Sequence, residues 1–80
     1  MTTKNYAAVK QEAIARDIDV SSRVDLIQFR KNGIVVAWMF APIGDDGIWR
    51  GYSKDELSGI KRGRKGEVAD WCLDIAANDY

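Results

Sequence analysis

Eighty residues with 46% apolar and 30% charged content, including three Trp, three Tyr and two Phe, describe a foldable globular chain and exclude a disordered one. Twelve Lys plus Arg stand against twelve Asp plus Glu, which excludes both the strong positive field of a general nucleic-acid binder and a uniform acidic coat. This length fits one core, so residues 1–80 are read as a single domain with about 3 to 5 kcal/mol of net stability.

In chain order, Thr2 or Thr3 is expected to cap a first helix running to about Asp17. Tyr6, Val9, Ala13 and Ile14, with Ala7 beside them, fall on one side at 100° per residue. Val20-Ser21-Ser22 breaks that pattern. Arg23 to Lys31 and Ile34 to Ala41 are β-rich runs joined by Asn32-Gly33, a pair suited to the positive φ of a type I′ hairpin turn. Extending the register of a two-residue loop places Lys31 opposite Ile34, Phe29 opposite Val36, Ile27 opposite Trp38 and Asp25 opposite Phe40 on the core face. Arg30, Val35, Gln28, Ala37, Leu26, Met39, Val24 and Ala41 are then expected on the other face, whose apolar end needs a helix or a partner over it.

Pro42 to Gly47 reads as a loop, and Ile48 to Tyr52 as a short third strand. Ser53 and Glu56 have the spacing of a capping box, with Leu57 and Ile60 following at helical spacing and Gly59 keeping that helix short. The run from Lys61 to Gly66 stops it as a mobile basic loop. A last helix opens at Glu67, with Val68, Trp71, Cys72 and Ile75 recurring on one side. The expected fold is α+β: a three-stranded antiparallel sheet with helices packed on one face, in the order αβββαα.

The residues offer little chemistry. Histidine is absent, which removes the commonest general base, metal ligand and activator of a nucleophile. Cys72, the single cysteine, lies on the apolar side of the last helix, where a thiol acts as a small hydrophobe. With one cysteine, a polar stretch from Met1 to Lys10 and no apolar run longer than Ile34 to Ile43, a cytoplasmic location is expected, with no membrane span. No enzyme activity, cofactor or metal is expected.

The charged groups suggest binding instead. Residues 41–80 carry six basic and eight acidic residues, net −2, against net +2 in residues 1–40. Asp45 and Asp46 suit a tight turn, and a projecting carboxylate pair also suits an arginine on another protein. Asp70 and Asp74 form an acidic strip on the last helix, either for solubility or for docking a basic partner. Lys61, Arg62, Arg64 and Lys65 either grip phosphates or stay solvated near a helix C-terminus. Trp49 and Tyr52 are either core residues or an aromatic platform.

Two resemblances follow from these residues. The helix, three strands, helix order and the segment Gly51-Tyr52-Ser53-Lys54 resemble a double-stranded-RNA-binding domain, whose last helix opens with a phosphate-clamping Ser-Lys-Lys; Asp55 stands where the second lysine would be. That resemblance implies a nucleic-acid-binding module using Lys61, Arg62, Arg64 and Lys65. Small size, clustered surface charge and missing catalytic equipment resemble the inhibitors that phages and mobile elements make against host defences, anti-CRISPR proteins among them. This second resemblance implies a non-catalytic inhibitor in the host cytoplasm, seated on a CRISPR effector complex and blocking nucleic-acid access. Asp45, Asp46, Asp70 and Asp74 would be its contacts. A homodimer joined through the Leu26, Met39 and Val24 side of the sheet is the remaining expectation.

Overall fold

The computed structural model describes residues 5–55, 59–78 and 80. Helix α1 (Tyr6–Ala15) opens the chain and helix α2 (Lys65–Asn78) closes it. Between them lie β1 (Asp19–Ser22), β2 (Leu26–Lys31), β3 (Ile34–Phe40), β4 (Trp49–Ser53) and β5 (Ile60–Gly63). The strands form one five-stranded antiparallel sheet in sequence order, so the expected three-stranded sheet and αβββαα order give way to αβββββα.

Helix α1 begins after Asn5, whose Oδ1 accepts a hydrogen bond from Ala8 N at 2.8 Å; the expected caps Thr2 and Thr3 lie outside the described residues. It ends earlier than the expected Asp17. Asp17 takes a left-handed φ of 59°, and Ile18 N donates back to Ala13 O at 2.9 Å. This reversal buries Ile18 and turns the chain into a strand within two residues. Ile14, expected on the apolar side, is 61% exposed.

The Asp19–Ser22 segment, expected to be a break, pairs with β2, placing Val20 beside Phe29. Tyr6 and Ser22 share a hydroxyl hydrogen bond of 2.8 Å that ties this edge strand to α1. At the other edge, Ile60–Gly63 pairs with β4, where a helix end and a mobile loop were expected. Ser53, the expected cap of that helix, is buried in β4 and donates to Asp55 Oδ1 at 2.7 Å. Glu56 and Leu57 lie outside the described residues.

The Asn32-Gly33 hairpin forms as expected, with φ of 55° and 80° at its two turn residues. Its register then departs from simple extension. Lys31 pairs with Ile34 and Arg30 with Val35, but Phe29 pairs with Ala37, leaving Val36 as a bulge. Beyond it the faces of β3 are exchanged relative to expectation: Ala37 and Met39 are fully buried, while Trp38 and Phe40 point to the opposite side.

Both helices cover one face of the sheet, α2 across β2 to β5 and α1 beside it against β1. Val9, Ala13, Ile27, Phe29, Ala37, Met39, Val68, Cys72 and Leu73 fill the space between, each at most 2% exposed. The expected Val68, Cys72 and Ile75 stripe is in this core, with Trp71 packed partly against it. Among the described residues no helix is long and apolar enough to cross a membrane.

Close approach of α2 to β4 requires Gly51, because a Cβ there would lie 2.7 Å from Val68 Cγ1 and 3.0 Å from Trp71 Cε3. Gly51→Ala is therefore expected to destabilise the fold by about 1 to 3 kcal/mol, measured by urea unfolding, with the companion Gly51→Ala/Val68→Ala recovering part of the loss. An unchanged midpoint for Gly51→Ala would contradict this packing.

Candidate functional site

With the helices on one side, the other side of the sheet is left uncovered among the described residues, and its residues follow from the pairing. One row across the strands reads Ser21, Gln28, Trp38, Tyr52, Ile60; the next reads Leu26, Phe40, Arg50, Arg62; a third holds Asp19 and Arg30 with Val35. Trp38 and Tyr52 are direct cross-strand partners and stack with ring centroids 6.2 Å apart and planes 17° apart. Phe40 meets Tyr52 edge-on at 5.5 Å. Three aromatic rings thus brace one another on a face that no helix covers.

Arginines surround them. Arg30 Nη2 donates to Gln28 Oε1 at 3.3 Å, and Arg50 Nη2 lies 3.8 Å from Asp46 Oδ2, a long and partly exposed contact of small energetic weight. Arg30 Nε and Arg50 Nη1 are buried and have no hydrogen-bond partner among the described residues. Guanidinium groups laid against the sheet have lost part of their water without gaining a full set of acceptors. Arg62, directly beside Arg50 on the edge strand, is exposed.

Tyr52 also divides the surface into two hollows. One, of about 430 Å³, is lined by Trp38, Tyr52, Ser53, Gly59 and Ile60 and is mostly apolar. The other, of about 360 Å³, is lined by Phe40, Tyr52, Pro42 and Ile43 with Arg50 and Asp25.

The residues singled out from sequence are dispersed. Asp45 and Asp46 sit on the exposed β3–β4 connection, where Asp46 Oδ1 accepts from Ile48 N at 3.0 Å and holds the turn. Asp70 and Asp74 ride on α2, behind the sheet. Lys61, Arg62, Arg64 and Lys65 are not one mobile loop: Lys61 and Arg62 alternate in β5, Arg64 links it to α2, and Lys65 is the first residue of that helix. Lys65 stands at the helix N-terminus, opposite to the expected C-terminal position, with its Nζ 4.4 Å from the Tyr6 ring and 5.3 Å from the Trp49 ring. Only Arg62 of the four belongs to the open face.

Trp49 and Tyr52 separate in the same way, Trp49 packing on the core and Tyr52 on the open face. Met39, expected at a dimer surface with Leu26 and Val24, is wholly buried, while Val24 is fully exposed in the β1–β2 turn. Trp38, Phe40, Arg30 and Arg50 were not singled out. The available signal was Gly51: a glycine inside an aromatic strand marks a close neighbour on its own side and so turns Arg50 and Tyr52 the other way.

No protein-family model matches the chain, and neither a curated protein nor a solved structure is measurably similar to it.

Cys72 is fully buried beneath β3, with Sγ 3.7 Å from Trp38 O, and burial pushes its thiol from the ordinary 9.0 up to about 12. The unfolded chain releases this proton near pH 9 and the folded chain only near 12. The thiol's contribution to stability is therefore complete below pH 9 and lost as the pH climbs toward 12. Relative to Cys72→Ala, the wild-type chain is expected to lose about 2 kcal/mol between pH 9 and 11 in chemical unfolding. Iodoacetamide at pH 8 is expected to label Cys72 only in denaturant; rapid labelling of the native chain would show an accessible thiol instead.

Proposed function

We propose that the chain is a non-catalytic protein-binding module that inhibits by occupying a surface of its partner, and that the open face of the sheet makes the contact. The observation that carries this reading is the Trp38, Tyr52 and Phe40 cluster, flanked by Arg30, Arg50 and Arg62, on the side that neither helix covers. Trp, Tyr and Arg dominate the energetic centres of protein interfaces, because they combine large apolar area with directional polar groups. Rings already braced against one another lose little further freedom on binding.

Charge supports a protein partner over a nucleic acid. The chain sums to zero, and carboxylates flank the open face, Asp19 on the β1 edge and Asp46 beside Arg50. An extended polyanion meets those carboxylates along with the arginines, whereas a folded partner can place its own groups around them. The resemblance to a double-stranded-RNA-binding domain gains no support here, since Ser53 ends β4 and Lys54 and Asp55 follow in a turn, with no helix opening among the described residues.

Small size and this surface suit a stoichiometric inhibitor of the anti-CRISPR kind, working in the host cytoplasm of a phage-encoded protein. Its candidate partner is a subunit of a CRISPR effector complex, with nucleic-acid access blocked by bulk. Asp45, Asp46, Asp70 and Asp74, on the connection and on α2, are then secondary contacts to basic parts of the same complex.

Capture of purified effector complexes separates these roles. Trp38→Ala/Tyr52→Ala is expected to weaken capture by about 100-fold or more while the chain stays folded by circular dichroism. Asp45→Arg/Asp46→Arg and Asp70→Arg/Asp74→Arg are expected to weaken it about tenfold or less. Full capture by the aromatic double variant would retire the open face as the contact. Salt-sensitive binding of RNA or DNA at physiological ionic strength would move the chain to the nucleic-acid class, and concentration-dependent sedimentation of the chain alone would point to a homodimer.

A further inference from the structure

We infer that the open face takes an acidic segment of a partner protein that presents an apolar side chain beside a carboxylate, the two entering the hollows on either side of Tyr52. This rests on the protein-binding reading and names the chemistry of the partner.

The two hollows differ in what they can accept. Trp38, Tyr52, Gly59 and Ile60 supply a mostly apolar wall, the Ser53 hydroxyl in the same lining being engaged by Asp55, and its volume of about 430 Å³ is enough for a large aliphatic or aromatic side chain. Across the Tyr52 ring, the second hollow of about 360 Å³ contains Arg50, whose Nη1 lacks an acceptor among the described residues. A buried, unsatisfied guanidinium donor is stabilised most by an ionised oxygen acceptor, and a carboxylate matches its planar fork. Asp46 does not serve fully, because its Oδ2 stays 3.8 Å from Arg50 while its Oδ1 is held by Ile48 N.

Arg50 fixes the chemistry of the second hollow, and the other charges of the face are distributed around it. Arg50 and Arg62 are adjacent across β4 and β5, and Arg30 stands at the far end of β2. Asp19 on the β1 edge, Asp25 in the second hollow with Arg50, and Asp46 on the connection bring carboxylates near the same rows, so the sign of the face is mixed and the unpaired Nη1 of Arg50 marks where an acceptor is missing. A uniform polyanion suits such a mixed pattern less well than a short segment that places one carboxylate at Arg50.

A random 12-residue peptide library, panned on the full-length chain, tests this without knowledge of the natural partner. Enriched peptides are expected to carry Asp or Glu within one to three residues of Leu, Ile, Met, Phe or Trp, and to quench or shift tryptophan fluorescence. Their affinity is expected to fall at least tenfold with Trp38→Ala and with Arg50→Gln, which removes the guanidinium of the second hollow, circular dichroism confirming that each variant stays folded. Enrichment of basic or purely apolar peptides, no enrichment at all, or tighter binding of a 20-residue oligothymidylate than of any peptide would overturn the inference. Basic peptides that still depend on Trp38 would sink the acidic chemistry alone; peptides indifferent to Trp38→Ala would sink the open-face reading with it.

Discussion

The bulge at Val36 decides what this protein shows to its surroundings. Side chains alternate along a strand with period two, so a single unpaired residue exchanges inside and outside for everything beyond it. Residues before the bulge follow the hairpin register, whereas Ala37 and Met39 turn into the core and Trp38 and Phe40 turn out. A bulge interrupts the ladder with β2, and the Val36 carbonyl instead accepts from Lys54 N at 2.9 Å, on the far side of β3. The interruption therefore leaves that carbonyl paired, at a site that is 1% exposed.

The exchange also suits the helix layer. Ala37 on β3 and Gly51 on the neighbouring strand are small residues on the face that α2 covers, where Val68 and Trp71 come close to Gly51. A Trp at position 38 pointing inward would occupy the space that Cys72 and Leu73 fill. Large side chains on the core side are concentrated at Phe29, Met39 and Leu73, and the excess aromatic volume of β3 is placed outside. Core packing and the exposed platform are thus two results of one register. The Lys65 ammonium, shared between the Tyr6 and Trp49 rings, fastens α1, β4 and the start of α2 together, so the rear of the sheet is fixed while the front stays open.

The legible parts of the fold were those with strong local signals. Asn32-Gly33 has the backbone tolerance its turn demands, and the i, i+3, i+4, i+7 stripe of α2 survives in the core. The edge strands have no such signal. Asp-Val-Ser-Ser and Ile-Lys-Arg-Gly are short and largely polar, and they become strands because β2 and β4 present unpaired backbone groups beside them. Charged residues are common on edge strands, where they discourage pairing with other chains, so the Lys61 and Arg62 that suggested a loop are also consistent with an edge. The bulge was hidden for a related reason: Ile34 to Met39 is apolar almost throughout, and a continuous apolar run carries no alternation from which an extra residue can be detected. The candidate site was correspondingly half visible, with Tyr52 and Arg62 noticed on separate grounds and Trp38 assigned to the wrong side.

A net charge of zero conceals an uneven distribution of sign. Four of the six arginines, Arg30, Arg50, Arg62 and Arg64, lie on the open face or beside the β5 edge, while Glu67, Asp70 and Asp74 follow one another along α2. Opposite charges separated by the thickness of one sheet and one helix layer, about 10 Å, nearly cancel beyond a Debye length of about 8 Å at physiological ionic strength. Little long-range steering is left, so the recognition proposed for this face would arise after contact, from the fit of rings and hollows and from guanidinium groups that exchange incomplete hydration for a well-placed acceptor. Under the proposed protein-binding reading, such a surface would discriminate by shape and by the position of single charges, without a strong field of its own.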